Sequence, residues 1–163
     1  MEEIILLIGM PGCGKSTIGK ELSWKINYDF YDMDDYIENI SNSTIKDLFN
    51  VSEEFFRDYE TRACRELSKK SKVVISSGGG VVKRKLNIEM FNGKSKIVFI
   101  DRPIEMILKD IDIESRPLLE EGRNKLYNLY LERYNLYNNY CNIKIINDTS
   151  IEDAINKIIT VIL

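Results

Sequence analysis

The chain has 163 residues, of which 44% are apolar and 30% charged, and a net charge of −3. One domain over 1–163 with a sizeable core is expected, and no overall basic field is present to attract nucleic acid. The sequence has no His, which excludes imidazole catalysis and histidine zinc sites, and it has no apolar run near the ~20 residues of a membrane-spanning helix.

The first predicted element is a buried strand over the apolar run Ile4–Ile8. Before it, Met1-Glu2-Glu3 offers no basic segment of the kind that opens a signal peptide. Directly after it comes Gly9-Met10-Pro11-Gly12-Cys13-Gly14-Lys15-Ser16, which fits the phosphate-loop pattern G-x-x-x-x-G-K-[ST]. A helix is predicted over Thr17 to Lys25. Strand, glycine turn and helix start form one device: glycine backbone N–H groups crowd around phosphate oxygens, and the helix end adds its positive dipole. Lys15 is placed to reach the β- and γ-phosphates, and the Ser16 hydroxyl to ligate Mg²⁺. Cys13 lies inside the loop, where backbone does the binding, so its thiol is a filler. Cys13, Cys64 and Cys141 have neither metal-ligand spacing nor an even count, which points to a reducing, cytoplasmic setting.

A second strand is predicted at Tyr28–Tyr31, followed by Asp32-Met33-Asp34-Asp35. The carboxyl ends of parallel strands open onto the ligand crevice. An extended chain would aim Asp32 and Asp34 the same way, one toward Mg²⁺ and one toward an acceptor hydroxyl. Asp34 or Asp35 can also cap a helix over Tyr36–Ile40. A longer helix is predicted at Glu53–Lys69, capped by Ser52, with Phe55, Phe56, Tyr59, Cys64 and Leu67 mixing a core face with a partly buried one.

The strand Val73–Ile75 runs through Ser76 and Ser77 into Gly78-Gly79-Gly80, where backbone N–H groups can approach an anion closely. Strands at Ile97–Ile100 and Ile143–Ile146 complete an alternation with helices that argues for a parallel sheet covered on both faces. Between helical patterns, Asp110–Arg123 is charged and broken by Pro117 and Gly122, and it is expected to be a mobile lid loop. In the helix predicted at Lys125–Cys141, the tyrosines read as packing more than chemistry.

The ordered set of motifs resembles the shikimate kinases, small relatives of the nucleoside monophosphate kinases. It comprises the phosphate loop, Asp32 and Asp34 followed by Ile37-Glu38, Phe56-Arg57 with Glu60, Gly78–Gly80, Arg116-Pro117-Leu118-Leu119, and Glu132-Arg133 before Leu136-Tyr137. The resemblance implies a three-layer α/β fold, with a five-stranded parallel sheet in the order 2-3-1-4-5, a short lid at about 110–123 and an acceptor-binding segment at about 32–62. It implies transfer of the ATP γ-phosphate, with Mg²⁺, to the 3-hydroxyl of shikimate by a monomer that binds neither nucleic acid nor membrane.

By the same resemblance, Gly12, Cys13, Gly14, Lys15, Ser16 and Thr17 bind the nucleotide, together with Lys109 at adenine and Arg116 at the transferring phosphate. Ser16 and Asp32 serve the metal. Asp34, Arg57, Gly78, Gly79, Gly80 and Arg133 bind shikimate, and Lys15, Asp34 and Arg116 carry catalysis. Two forked cations for one carboxylate and one Asp for ring hydroxyls are the right complement for a small hydroxylated acid. The chain departs from the family pattern at Asn27, where Gly is usual, at Ser52 and Asn135, and at Lys109, where Arg is usual. The rival expectations are a kinase of gluconate or another small hydroxy acid, and a nucleotide-binding switch with no acceptor.

Overall fold

The computed structural model describes residues 4–113 and 120–163. Strand β1 (Ile4–Ile8) is buried at every position and lies at the centre of a five-stranded sheet of order β2-β3-β1-β4-β5. Its neighbours are β3 (Val73–Ser76) and β4 (Ser95–Asp101); β2 (Asp29–Asp32) and β5 (Ile143–Ile146) form the edges. All pairings are parallel, with Ile4 in register with both Val73 and Ser95. Continuous runs of Ile, Val and Leu suit this arrangement, because a parallel sheet is covered by helices on both faces. The expected order and direction of the strands are therefore what the chain adopts.

Helix α1 (Lys15–Ile26) follows β1 and packs on the sheet beside the C-terminal helix of the chain, Ile151–Ile162. It ends at Asn27, whose φ of 58° is left-handed. Asn tolerates that conformation better than most side chains, so the left-handed turn forms here without glycine.

Between β2 and β3 the chain makes an excursion of three helices: α2 (Met33–Ser41), α3 (Ile45–Val51) and α4 (Glu53–Leu67). Thr44 caps α3, and the Ser52 hydroxyl caps α4 by accepting from Phe55 N at 3.0 Å. The cap of α2 is a correction. Neither Asp34 nor Asp35 serves; Asp32 does, accepting from both their backbone N–H groups at 3.0 and 3.3 Å. The helix starts at Met33, so Asp34 sits in its first turn rather than on extended chain.

After β3, a 3₁₀ turn (Val81–Lys83) leads into α5 (Lys85–Glu89). Buried Asn87 ties this turn to α4, accepting from Thr61 Oγ1 at 2.8 Å and donating to the Val81 carbonyl at 3.1 Å. Beyond β4 come α6 (Ile104–Ile113) and α7 (Glu120–Tyr140), then β5 and the C-terminal helix, α8 (Ile151–Ile162). The segment 110–123, expected as a loop, is helical at both ends: 110–113 close α6 and 120–123 open α7. Its charged residues keep helical propensity despite Gly122. Residues 114–119, which include Arg116, lie outside the described residues.

Candidate active site

Two glycine loops leave the carboxyl ends of the neighbouring strands β1 and β3. The amide of Ser77, just past β3, donates to Leu7 O on β1 at 3.1 Å and holds the two loop origins in register. Between the loops opens a cavity of about 420 Å³, lined by residues of both loops together with Asp32 and Asp34. Strand order places it at the crevice where ligands bind in open α/β sheets.

The phosphate loop is built from within. Gly14 caps α1 with φ of 98°, a conformation that favours glycine, and itself offers no side chain to the helix N-terminal N–H groups. Lys15 is only 7% exposed; its ammonium folds back and donates to Gly9 O at 2.8 Å and Met10 O at 2.9 Å. Three rotatable donors on a flexible stem let such a group re-aim. Cys13 is fully buried and packs below the loop as a filler. Asn147, just beyond β5, supports the loop from outside by donating to Cys13 O at 3.0 Å. Thr17 lies in the first turn of α1 and lines the cavity.

Ser16 and Asp32, the residues expected to hold a metal, are in direct contact. The Ser16 hydroxyl donates to Asp32 Oδ2 at 2.6 Å and lies 3.1 Å from the Ser76 hydroxyl. The N-cap bonds on Oδ1 fix the Asp32 carboxylate, which leaves Oδ2 facing Ser16. A small, oxygen-only set with one carboxylate fits Mg²⁺, which keeps most of its waters.

Side chains of α2 and α4 come together at the glycine loop after β3. Arg57 is 6% exposed and held on several sides. One guanidinium nitrogen donates to Glu60 Oε1 at 2.9 Å, others reach Glu53 at 3.4 Å, and the group lies 5.1 Å from the Phe56 ring centroid and 5.9 Å from that of Phe49. Its guanidinium also presses against Gly80, where a Cβ would collide with it. Arg133, on α7, is 7% exposed, and its buried Nε has no partner among the described residues. A Cβ on Gly78 would lie 3.3 Å from Glu60 Oε2 and 3.4 Å from Asp34 Oδ1.

Charge is tuned by this crowding. Burial, then the neighbouring Asp32, raises the Asp34 pKa above its ordinary 3.8, while Lys15 pulls the other way. Burial likewise raises Glu60, against the opposing pull of Arg57. Perturbed carboxyls beside cations in a cleft mark functional sites.

Two residues not assigned a site role from the sequence belong to this cluster. Glu60 is one, and its spacing of three from Arg57 on a helix was the available signal. Tyr137 is the other; it is one turn beyond Arg133 and donates to Gly79 O at 2.6 Å. Lys109, expected at adenine, is exposed on α6.

Comparison with known proteins places the chain in a family. The family model described as shikimate kinase matches residues 11–163. A shikimate kinase of Clostridium beijerinckii is 55% identical over all of this chain and 96% of its own length. One from Clostridium botulinum strain Alaska E43 is 46% identical over 100% of this chain and 99% of its own. Among solved structures, the shikimate kinase of Acinetobacter baumannii in complex with shikimate superposes with a TM-score of 0.89 at 30% identity, covering 98% of this chain and 92% of the other.

Proposed function

Because the chain belongs to the shikimate kinase family, phosphotransferases of aromatic amino acid biosynthesis, we propose that its two-loop cavity carries the γ-phosphate of ATP to the 3-hydroxyl of shikimate. The observation that carries this assignment is the convergence of Asp34, Arg57, Glu60 and Gly78–Gly80 beside the phosphate loop, with Arg133 facing them from α7.

The phosphate loop receives the nucleotide phosphates on its backbone N–H groups, and Lys15 turns from Gly9 O and Met10 O onto the β- and γ-oxygens. Gly12, Cys13 and Gly14 supply backbone, and Thr17 borders the same cavity. Ser16 and Asp32 would hold Mg²⁺, which neutralises phosphate charge when bound. Arg57 and Arg133 grip the shikimate carboxylate. Arg57 reaches it already oriented by Glu53, Glu60 and two aromatic rings, so little rotamer freedom is lost on binding. Asp34, ionised, accepts from the ring hydroxyls and orients the attacking oxygen. Positioning and charge stabilisation supply most of the catalysis in such transfers, which is compatible with a chain lacking His.

The test is acceptor-dependent ATP turnover with shikimate, gluconate and no acceptor, on wild type, Arg57→Lys and Arg133→Lys. Shikimate alone should stimulate turnover. Each variant should raise the KM for shikimate roughly ten- to hundredfold, the worth of a charged hydrogen bond, with the KM for ATP nearly unchanged. Stimulation by gluconate in place of shikimate would overturn the acceptor, and turnover unaffected by any acceptor would leave only a nucleotide-binding switch.

A further inference from the structure

The glycine loop after β3 has an uneven hydrogen-bond pattern. The Gly78 carbonyl accepts from Val81 N at 3.2 Å and the Gly80 carbonyl from Lys83 N at 3.1 Å, both within the following 3₁₀ turn. The Gly79 carbonyl has no such local partner. It accepts instead from the Tyr137 hydroxyl, 58 residues away on α7, at 2.6 Å. Tyr137 is fully buried and its hydroxyl also lies 4.0 Å from Met10 Sδ of the phosphate loop. Burial pushes its pKa up, so the hydroxyl stays a donor.

A trans peptide sets each C=O antiparallel to the next residue's N–H, and the chain has no cis peptide bonds. Fixing the Gly79 carbonyl therefore fixes the direction of the Gly80 N–H. That N–H has no partner among the described residues, and Gly80 lies against the Arg57 guanidinium. Arg133 is one helical turn before Tyr137 on the same helix, and its buried Nε is likewise unmet. Buried donors without partners are rare and call for an explanation.

We infer that Tyr137 is a positioning residue for the acceptor carboxylate: by tying the Gly79–Gly80 peptide to α7, it sets the distance between the Gly80 N–H and Arg133 so that both donors meet one anion. This rests on the assignment of Arg133 to the shikimate carboxylate. A tyrosine that served only to fill the core would support the fold equally for every ligand. A positioning tyrosine acts on the carboxylate alone.

The experiment is steady-state kinetics and binding on Tyr137→Phe, which keeps the ring and removes the hydroxyl. The KM for shikimate should rise about three- to tenfold, the size of one lost hydrogen bond, while kcat and the KM for ATP stay within about twofold. A shikimate analogue lacking the carboxylate should bind wild type and variant equally. An unchanged KM for shikimate would overturn the inference, as would an equal loss for the analogue or for ATP. Wild-type turnover in the same assay checks the acceptor itself: if shikimate is not phosphorylated, both statements fall, whereas normal wild type with an unresponsive variant removes only the role of Tyr137. Should the variant not fold, amide exchange on wild type decides the matter. Shikimate should protect the Gly80 N–H and the descarboxylated analogue should not; equal protection, or none, refutes it.

Discussion

Asp34 shows how burial converts an ordinary carboxylate into a tuned one. Its folded-state pKa is raised, chiefly by burial and then by Asp32. A raised carboxyl binds its proton more tightly in the folded state, so its favourable contribution to stability is full below 3.8 and is lost as pH climbs through the folded value. Activity runs the other way, because the ionised form accepts from the hydroxyl. The acid limb of kcat/KM for shikimate should therefore lie above pH 3.8, and Asp32→Asn should move that limb to lower pH by removing a like charge, even as it weakens turnover. A pH–rate profile checks both; an acid limb unmoved in the variant would mean that another group controls it. Lys15 makes a complementary case. Among the described residues it bonds only within the phosphate loop, to Gly9 O, Met10 O and the Cys13 sulfur, so Lys15→Ala should keep the fold by circular dichroism. It should lower kcat on the order of a hundredfold or more, as loss of a charge-stabilising donor does.

Elements carry the site only as well as they pack. Gly19 in α1 illustrates the tolerance: a Cβ there would come within 2.8 Å of the Phe30 ring and 3.2 Å of Leu7. Gly19→Ala should thus destabilise by about 1–3 kcal/mol through overpacking, despite alanine's better helix propensity; a denaturant midpoint equal to or above wild type would contradict this close approach. Much at this scale was legible beforehand. Strands β1 and β5 lie where their apolar runs begin and end, Ser52 caps α4, and Asn27 takes the left-handed turn. What was not legible depended on one-residue choices or on distant partners. Asp34 and Asp35 were the expected caps of α2, and only the true end of β2, at Asp32, shows that the cap lies before them. Glu60 and Tyr137 look like ordinary helix residues until the glycine loop is brought against them. Local pattern encodes an element, but not which loop will fold over it.

For the whole molecule, the site is a seam between parts that are far apart in sequence, so ligands should report on global stability. Shikimate at about a hundred times its Kd should stabilise the native state by about 2.7 kcal/mol, by mass action. For a chain of 163 residues that corresponds to a rise in Tm of about 5–10 °C. Scanning calorimetry with and without ligand measures it, and a Tm independent of shikimate at that excess would deny binding to the folded state.

The two halves of the cavity are also separable by genetics. The phosphate loop hangs between β1 and α1, whereas Asp34, Arg57 and Glu60 all ride on the excursion between β2 and β3. An engineer, or natural drift, can rewrite that excursion beyond its first turn, which must stay because the Asp34 and Asp35 N–H groups hold Asp32 against Ser16 of the phosphate loop. Such a chain retains its phosphoryl donor and acquires a new acceptor, provided that whatever replaces Arg57 still lies against the bare Cα of Gly80.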